Sequence, residues 1–233
     1  MTTATRHDLV WLDPMAARAA RVAGPIRMAP ALALNLLGIW LDQCHPLIVT
    51  RQQSPPAGPD TKSLAVGLAL PPARGKHRIA FVVPAASVRR HARPPTLAQC
   101  RATLPDRWHR MVDAILGDAA LSAMQVRVGG SAAMEHLTGL PCLEPGSDLD
   151  LLVYASSWPQ ALCGAQGLAR LDGQFDATRL DGEILAPDGS AVAWRELQGR
   201  ATQLLVKRHA SAEMVDRAQL DRCFGPLAST VGA

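Results

Sequence analysis

Aromatic residues are scarce. Three Phe, one Tyr and five Trp make up 4% of the 233-residue chain. Proteins that hold single-stranded nucleic acid stack its bases on aromatic faces, so no nucleic-acid partner is expected. Lysine is scarce as well: Lys62, Lys76 and Lys207 are the only ones among 24 Lys and Arg, which leaves 21 arginines. The arginine fork suits phosphate and carboxylate, but codon bias explains the excess more simply. The five cysteines (Cys44, Cys100, Cys142, Cys163, Cys223) are odd in number and scattered, which argues against a secreted disulfide framework. No CxxC or HExxH spacing marks a zinc site. The longest apolar stretch, Ala31 to Leu41, includes Asn35 and falls far short of the roughly 20 residues that span a bilayer. Arg6, His7 and Asp8 interrupt any apolar leader. These absences predict a cytoplasmic chain with no membrane partner.

The remaining composition is that of a globular protein: 48% hydrophobic, 19% charged. A chain this long buries roughly 70% of its unfolded surface, so it needs neither disulfide nor metal to fold. The net charge of +4 permits an anionic partner without requiring one.

Two proline-rich breaks organise the chain. The first, Gln52 to Lys62, separates strand-like Pro46–Thr50 from Leu64–Leu70 and reads as a loop within a domain. A further β-branched run, His77–Val83, pairs with Leu64–Leu70 across Pro71–Lys76. The second break, Ala86 to Gln99, carries Arg89, Arg90, His91 and Arg93 and has little to bury. It sets a boundary between an N-terminal α/β domain over 1–88 and a larger domain over 101–233. In the second domain, Trp108, Met111, Val112, Ile115 and Leu116 follow the spacing of one buried helical face. A strand is predicted over Gln125–Val128, then a short helix over Ala132–Leu137, a strand over Asp148–Tyr154 and a helix over Trp158–Leu171. Strands over Phe175–Leu185 and Ser190–Trp194 meet at Pro187-Asp188-Gly189. A last strand-like piece, Leu204–Arg208, precedes a polar tail. The order describes an α+β fold with a mixed sheet flanked by helices.

The chemistry concentrates in two places. Gly129-Gly130-Ser131 sits between a strand and a helix, where glycine lets backbone N–H groups approach an anion and the helix start favours its charge. The serine hydroxyl can donate to the same phosphate. Asp148 and Asp150 alternate on one face of the following strand. Two carboxylates side by side repel unless a divalent cation lies between them. Mg²⁺ is commonly held by one or two carboxylates with substrate phosphates.

In that order the two motifs resemble the nucleotidyltransferase superfamily to which DNA polymerase beta belongs: a hydrophobic-Gly-Gly/Ser turn, a helix, then Asp-x-Asp on the next strand. The 16 residues between Ser131 and Asp148 exceed the superfamily's usual spacing, and the excess is assigned to a loop insertion over Thr138–Glu144. The resemblance implies a third carboxylate on a neighbouring strand. Asp181 and Glu183 share one face there and Asp176 the other; Asp181 is favoured, then Glu183, as metal bridge or general base. Lys207 lies in an apolar strand-like run within reach of a phosphate, although such a lysine more often sits on an exposed face. Arg127 faces away from the apolar side of Val126 and Val128.

A narrower resemblance covers both domains, from about residue 5 to about residue 208. Val128-Gly-Gly-Ser131, Leu137-Thr-Gly-Leu-Pro141, Ser147-Asp-Leu-Asp-Leu-Leu152, Asp181-Gly-Glu183, Val192–Leu197, His7–Trp11 and Gly67–Pro72 resemble the phosphoribosyl-dephospho-CoA transferases of malonate decarboxylase, also called its holo-acyl carrier protein synthases. The resemblance implies triphosphoribosyl-dephospho-CoA as donor and a serine of the malonate decarboxylase acyl carrier protein as acceptor, with diphosphate leaving. It implies catalytic Asp148, Asp150 and Asp181, with Mg²⁺ on Asp148 and Asp150. Gly129, Gly130, Ser131, Glu183 and Lys207 would serve substrate binding. The first domain would shape the donor pocket or dock the carrier. Two rivals remain: a nucleotidyltransferase acting on another protein or a small hydroxyl acceptor, and a non-catalytic chaperone of the carrier.

Overall fold

The structure, a computed structural model, describes residues 4–52, 63–175 and 178–224. Most of the expected Gln52–Lys62 loop, and Asp176, lie outside these residues. The chain forms two compact units. One comprises Met1–Pro94 with Met134–Glu144 and His209–Ser211; the other comprises Pro95–Ala133, Pro145–Arg208 and Ala212–Ala233.

The first unit contains β1 (Leu9–Leu12), β2 (Arg21–Ala23), α1 (Pro30–Asp42), β3 (Leu47–Val49), β4 (Ser63–Ala69), β5 (Arg78–Pro84) and β6 (Val88–Ala92). The strands lie in the order β2-β5-β4-β3-β1-β6, and every pair is antiparallel. β4 and β5 alternate between buried and half-buried positions along their length, which puts Leu64, Val66 and Leu68 with Ile79, Phe81 and Val83 in the core. The predicted turn between them closes on Gly75, whose φ of +84° favours glycine. α1 starts with proline in its first turn and adds Ala33, Leu37, Trp40 and Leu41 to the same core. The Trp40 indole donates to the Pro46 carbonyl at 2.9 Å. α1 therefore covers an antiparallel sheet and does not cross between parallel strands.

The segment read as a linker is structured. β6 pairs along β1, with Val10 opposite His91, and Asp8, 3% exposed, lies 2.8 Å from His91 Nε2. Strand pairing consumes the backbone groups of residues whose charged side chains had marked them as exposed. The break falls between Pro94 and Pro95.

The second unit contains α2 (Leu97–Cys100), α3 (Asp106–Gly117), α4 (Ala119–Ser122), β7 (Gln125–Val128), part of α5 (Gly130–Thr138), β8 (Leu149–Tyr154), α6 (Trp158–Leu171), β9 (Leu180–Leu185), β10 (Ala191–Ala193), α7 (Trp194–Gln198), β11 (Gln203–Lys207) and β12 (Ala212–Asp216). α3 buries Trp108, Met111, Val112 and Ile115, the face its periodicity predicts. Strand order is β12-β11-β10-β9-β8-β7. Only β8 and β9 run parallel; α6 connects them as the crossover. Its small residues allow close approach: a Cβ on Gly164 would lie 3.6 Å from Val153 Cγ1. Leu149, Leu151 and Val153 face the helical layer, which turns the alternate residues of β8 to the opposite side.

Three local expectations change. The strand predicted over Phe175–Leu185 begins only at Leu180. The strand ending at Trp194 stops at Ala193, and buried Trp194 opens α7. The polar tail pairs as β12 along β11, and a 3-10 helix over Arg217–Phe224 buries Leu220, Cys223 and Phe224. Among the described residues no helix is long and apolar enough to cross a membrane.

Candidate active site

The second unit brings the predicted carboxylates to one face of its sheet. In the parallel ladder Asp150 sits directly opposite Asp181, and Leu152 opposite Glu183. β7 places Arg127 opposite Leu152. β10 places Ala193 opposite Glu183 and Ala191 opposite Leu185, and β11 places Lys207 opposite Ala191. Directly opposed residues share a face, so Arg127, Asp150, Asp181, Glu183 and Lys207 stand on one surface. Leu152, Tyr154, Leu185 and Ala191 form a small apolar cluster there. Asp148 immediately precedes β8 and is half-buried. The shared face of Asp181 and Glu183 is as alternation predicts.

Two glycines fit the carboxylates closely. The Gly129 N–H donates to the Asp150 carbonyl at 2.9 Å, tying the turn to β8. Gly130 has φ +57°, and a Cβ there would lie 1.8 Å from Asp150 Oδ2. The start of α5 is thus packed against the carboxylate with no room for a side chain. The first turn of a helix also offers N–H groups that lack intrahelical partners, and Ser131 follows within it. Gly182, between the two β9 carboxylates, has φ +140°, and a Cβ would meet the Leu151 carbonyl oxygen at 1.9 Å. Its N–H donates to Asp181 Oδ1 at 2.8 Å and so fixes that side chain. Sequence reasoning gave Gly182 no role, although a glycine inside a strand is the usual sign of close backbone approach.

Glu183 and Asp181 differ in setting. Glu183 is 8% exposed and accepts from Lys207 Nζ at 2.7 Å. A buried carboxylate needs such a partner to stay charged. Lys207, whose commonest role would have been an exposed cation, is engaged on the site's face. Near the start of β9, Thr178 Oγ1 donates to the Ser147 carbonyl at 2.5 Å. A cavity of about 500 Å³ opens there, lined in part by Asp172, Phe175, Arg179 and Arg195. Arg195 is held by Asp172 Oδ2 and the Leu180 carbonyl, both at 2.8 Å.

The expected insertion over Thr138–Glu144 is tethered to its own unit. Glu135 Oε2 accepts from the Cys142 and Leu143 N–H groups, both at 2.8 Å, and Lys76 pairs with Glu144.

Among the described residues, no group of three or more His, Cys, Asp or Glu is assembled as a metal site. Mg²⁺ usually takes only one or two carboxylates and completes its shell with water and phosphate oxygens. Asp148, Asp150 and Asp181 offer hard oxygen donors, and the Asp150 carboxylate lies directly against the Gly130 backbone at the start of α5. The residues present fit that ion.

Carboxylates paired across parallel strands beside a glycine-led helix start can hold a cation next to an anionic group. Two family models match the chain: the phosphoribosyl-dephospho-CoA transferase MdcG N-terminal domain over residues 5–94 and its C-terminal domain over residues 96–218. The chain belongs to the phosphoribosyl-dephospho-CoA transferase family. A phosphoribosyl-dephospho-CoA transferase of Bradyrhizobium diazoefficiens is 37% identical over 214 residues, covering 92% of this chain and 91% of the relative. One of Xanthomonas campestris pv. campestris is 34% identical over 222 residues, covering 94% and 99%. One of Xanthomonas axonopodis pv. citri is 35% identical over 217 residues, covering 93% and 96%. No solved structure matches the chain.

Proposed function

We propose that this enzyme transfers the phosphoribosyl-dephospho-CoA group from its triphosphate precursor to a serine of the malonate decarboxylase acyl carrier protein, in the cytoplasm. The carrying observation is the facing pair Asp150 and Asp181, with the Asp150 carboxylate against Gly130 at the start of α5. The acceptor hydroxyl attacks the α-phosphorus in line. A new P–O bond to serine forms as the P–O bond to diphosphate breaks, and the serine proton passes to a carboxylate.

Asp181 suits the role of proton acceptor. One of its oxygens is fixed by the Gly182 N–H, which orients the other. Lys207 already engages Glu183, which favours Asp181 as the third carboxylate and makes Glu183 and Lys207 a positioning pair. Asp148 and Asp150 would hold Mg²⁺, which supplies charge neutralisation for the triphosphate and its leaving diphosphate. Gly129, Gly130 and Ser131 would receive phosphate oxygens at the start of α5. Little further chemistry is required of the protein beyond alignment and charge stabilisation.

The test is intact-mass analysis of the apo-carrier after incubation with enzyme, donor and Mg²⁺. The expected result is a mass gain of one prosthetic group on the carrier, abolished by Asp150→Ala. Wild-type-rate loading by that variant removes the metal assignment. Labelling of the carrier from ATP alone favours a nucleotidyltransferase of different donor choice. Carrier binding without any loading leaves a chaperone.

A further inference from the structure

The first unit contributes no carboxylate to the site, yet it holds all of the molecule's excess positive charge. Residues 1–94 contain 12 of the 24 Lys and Arg but 4 of the 20 Asp and Glu, a net +8, and the remainder of the chain carries −4. Counting Glu135 and Glu144 into the unit still leaves +6.

Part of this charge borders an apolar surface. Four large hydrophobic residues are exposed among the described residues, and three belong to α1 and the 3-10 turn beside it: Met15 at 55%, Leu32 at 49% and Ile39 at 39%. Leu32 and Ile39 are seven residues apart, on one stripe of α1. The turn carrying Met15 packs alongside that helix, with Ala17 Cβ 4.0 Å from where a Gly38 Cβ would be. Arg18 ends the turn, Arg21 opens edge strand β2, and Arg27 precedes α1. All three are exposed, and no acidic partner engages them among the described residues. Asp42, at the far end of α1, is the one acidic residue on that helix. Apolar side chains rimmed by unpaired cations have the composition of a protein interface rather than of a solvated face.

We propose that this face of α1 docks the acyl carrier protein, through an acidic surface on that partner. The inference rests on the proposed function and gives the first unit its part in it. A triphosphate donor would account for the arginines but not for exposed Met15, Leu32 and Ile39. Charge complementarity at such a rim acts mainly on encounter and on its salt dependence, while the apolar centre holds the complex.

The test uses the full-length enzyme and the apo-carrier, with binding measured by titration without donor and loading measured separately. Two variants are compared: Arg18→Glu/Arg21→Glu/Arg27→Glu and Leu32→Ser/Ile39→Ser, each checked for an unchanged unfolding midpoint. Both should weaken carrier binding and raise the carrier KM by about tenfold, with the donor KM unchanged. Added salt should weaken carrier binding to wild type more than to the arginine variant. Unchanged carrier binding in both folded variants overturns the docking face, as does a rise in donor KM in its place. If wild type binds the carrier through these residues but does not load it, the docking face stands and the transfer reaction falls. If it neither binds nor loads, both fall.

Discussion

The two site glycines are constrained by different neighbours, and they should fail differently. At Gly182 a Cβ would strike the Leu151 backbone carbonyl in the adjacent strand, which cannot turn aside without breaking the β8–β9 ladder. Gly182→Ala should cost about 3 kcal/mol from strain and overpacking together, seen as a lower unfolding midpoint. At Gly130 the obstacle is the Asp150 carboxylate, the movable end of a side chain. Gly130→Ala should cost only about 1 kcal/mol of left-handed strain, yet it must push that carboxylate away from its place opposite Asp181. Loading activity should therefore fall far more than stability does. Equal effects of the two substitutions on midpoint and on activity would contradict this division. At this scale the sequence was informative where spacing decides: the side-chain period of a strand is enough to place Asp181 and Glu183 together. It was silent on which of them Lys207 engages, because that depends on the register of β9, β10 and β11, which only long-range pairing sets.

Elements were legible where one face is buried and the termini are marked. α6 matches its predicted span because apolar periodicity and capping agree, with Ser157 accepting from the Gln160 N–H at its start; α3 buries its predicted face with no side chain capping its start. β12 was missed because its burial hardly alternates; its position comes from pairing with β11, not from a hydrophobic side. α4 is too short for periodicity and depends on its cap. Asp118 accepts from the Ala120 and Leu121 N–H groups and pairs with Arg170 of α6 at 2.8 Å. Burial works to raise this carboxyl, but the Arg170 bond and the two backbone donors outweigh it and hold it below the usual aspartate value. A carboxyl lowered in the folded state contributes stability above its unfolded pKa of about 3.9, and that contribution disappears as pH falls through the lower folded value. Asp118→Ala should thus cost about 1 kcal/mol at neutral pH. The gap from wild type should narrow in melts taken at pH progressively below about 3.9. A gap that stays constant with pH would assign the loss to packing against Gly167 and not to the charge.

At the scale of the whole molecule, the family's N- and C-terminal halves are not simply successive segments. Met134–Glu144 lies within the C-terminal sequence yet belongs to the first compact unit. Met134 at 2% exposure and Cys142 at 4% sit in that unit's core. α5 thus starts at the Gly130–Ser131 turn of one unit and ends in the other, and the long spacing before Asp148 is the length this arrangement uses. Glu135 is the side chain that holds the segment together, since one oxygen receives both the Cys142 and Leu143 N–H groups. Hydrogen bonds to a charged acceptor contribute about 1.5–3 kcal/mol, and removing this one strands two backbone donors in a half-buried loop. Glu135→Ala should therefore lower stability by about 2 kcal/mol. It should also reduce loading, because the loosened helix carries at its first residues the turn proposed to bind phosphate. Glu135→Gln keeps an acceptor oxygen in the same place and should recover most of both losses. Asp150→Ala, by contrast, should abolish loading with the unfolding midpoint nearly intact. A Glu135→Ala protein with wild-type midpoint and wild-type loading would show that the hydrogen bonds of Glu135 to Cys142 and Leu143 do not steady the turn.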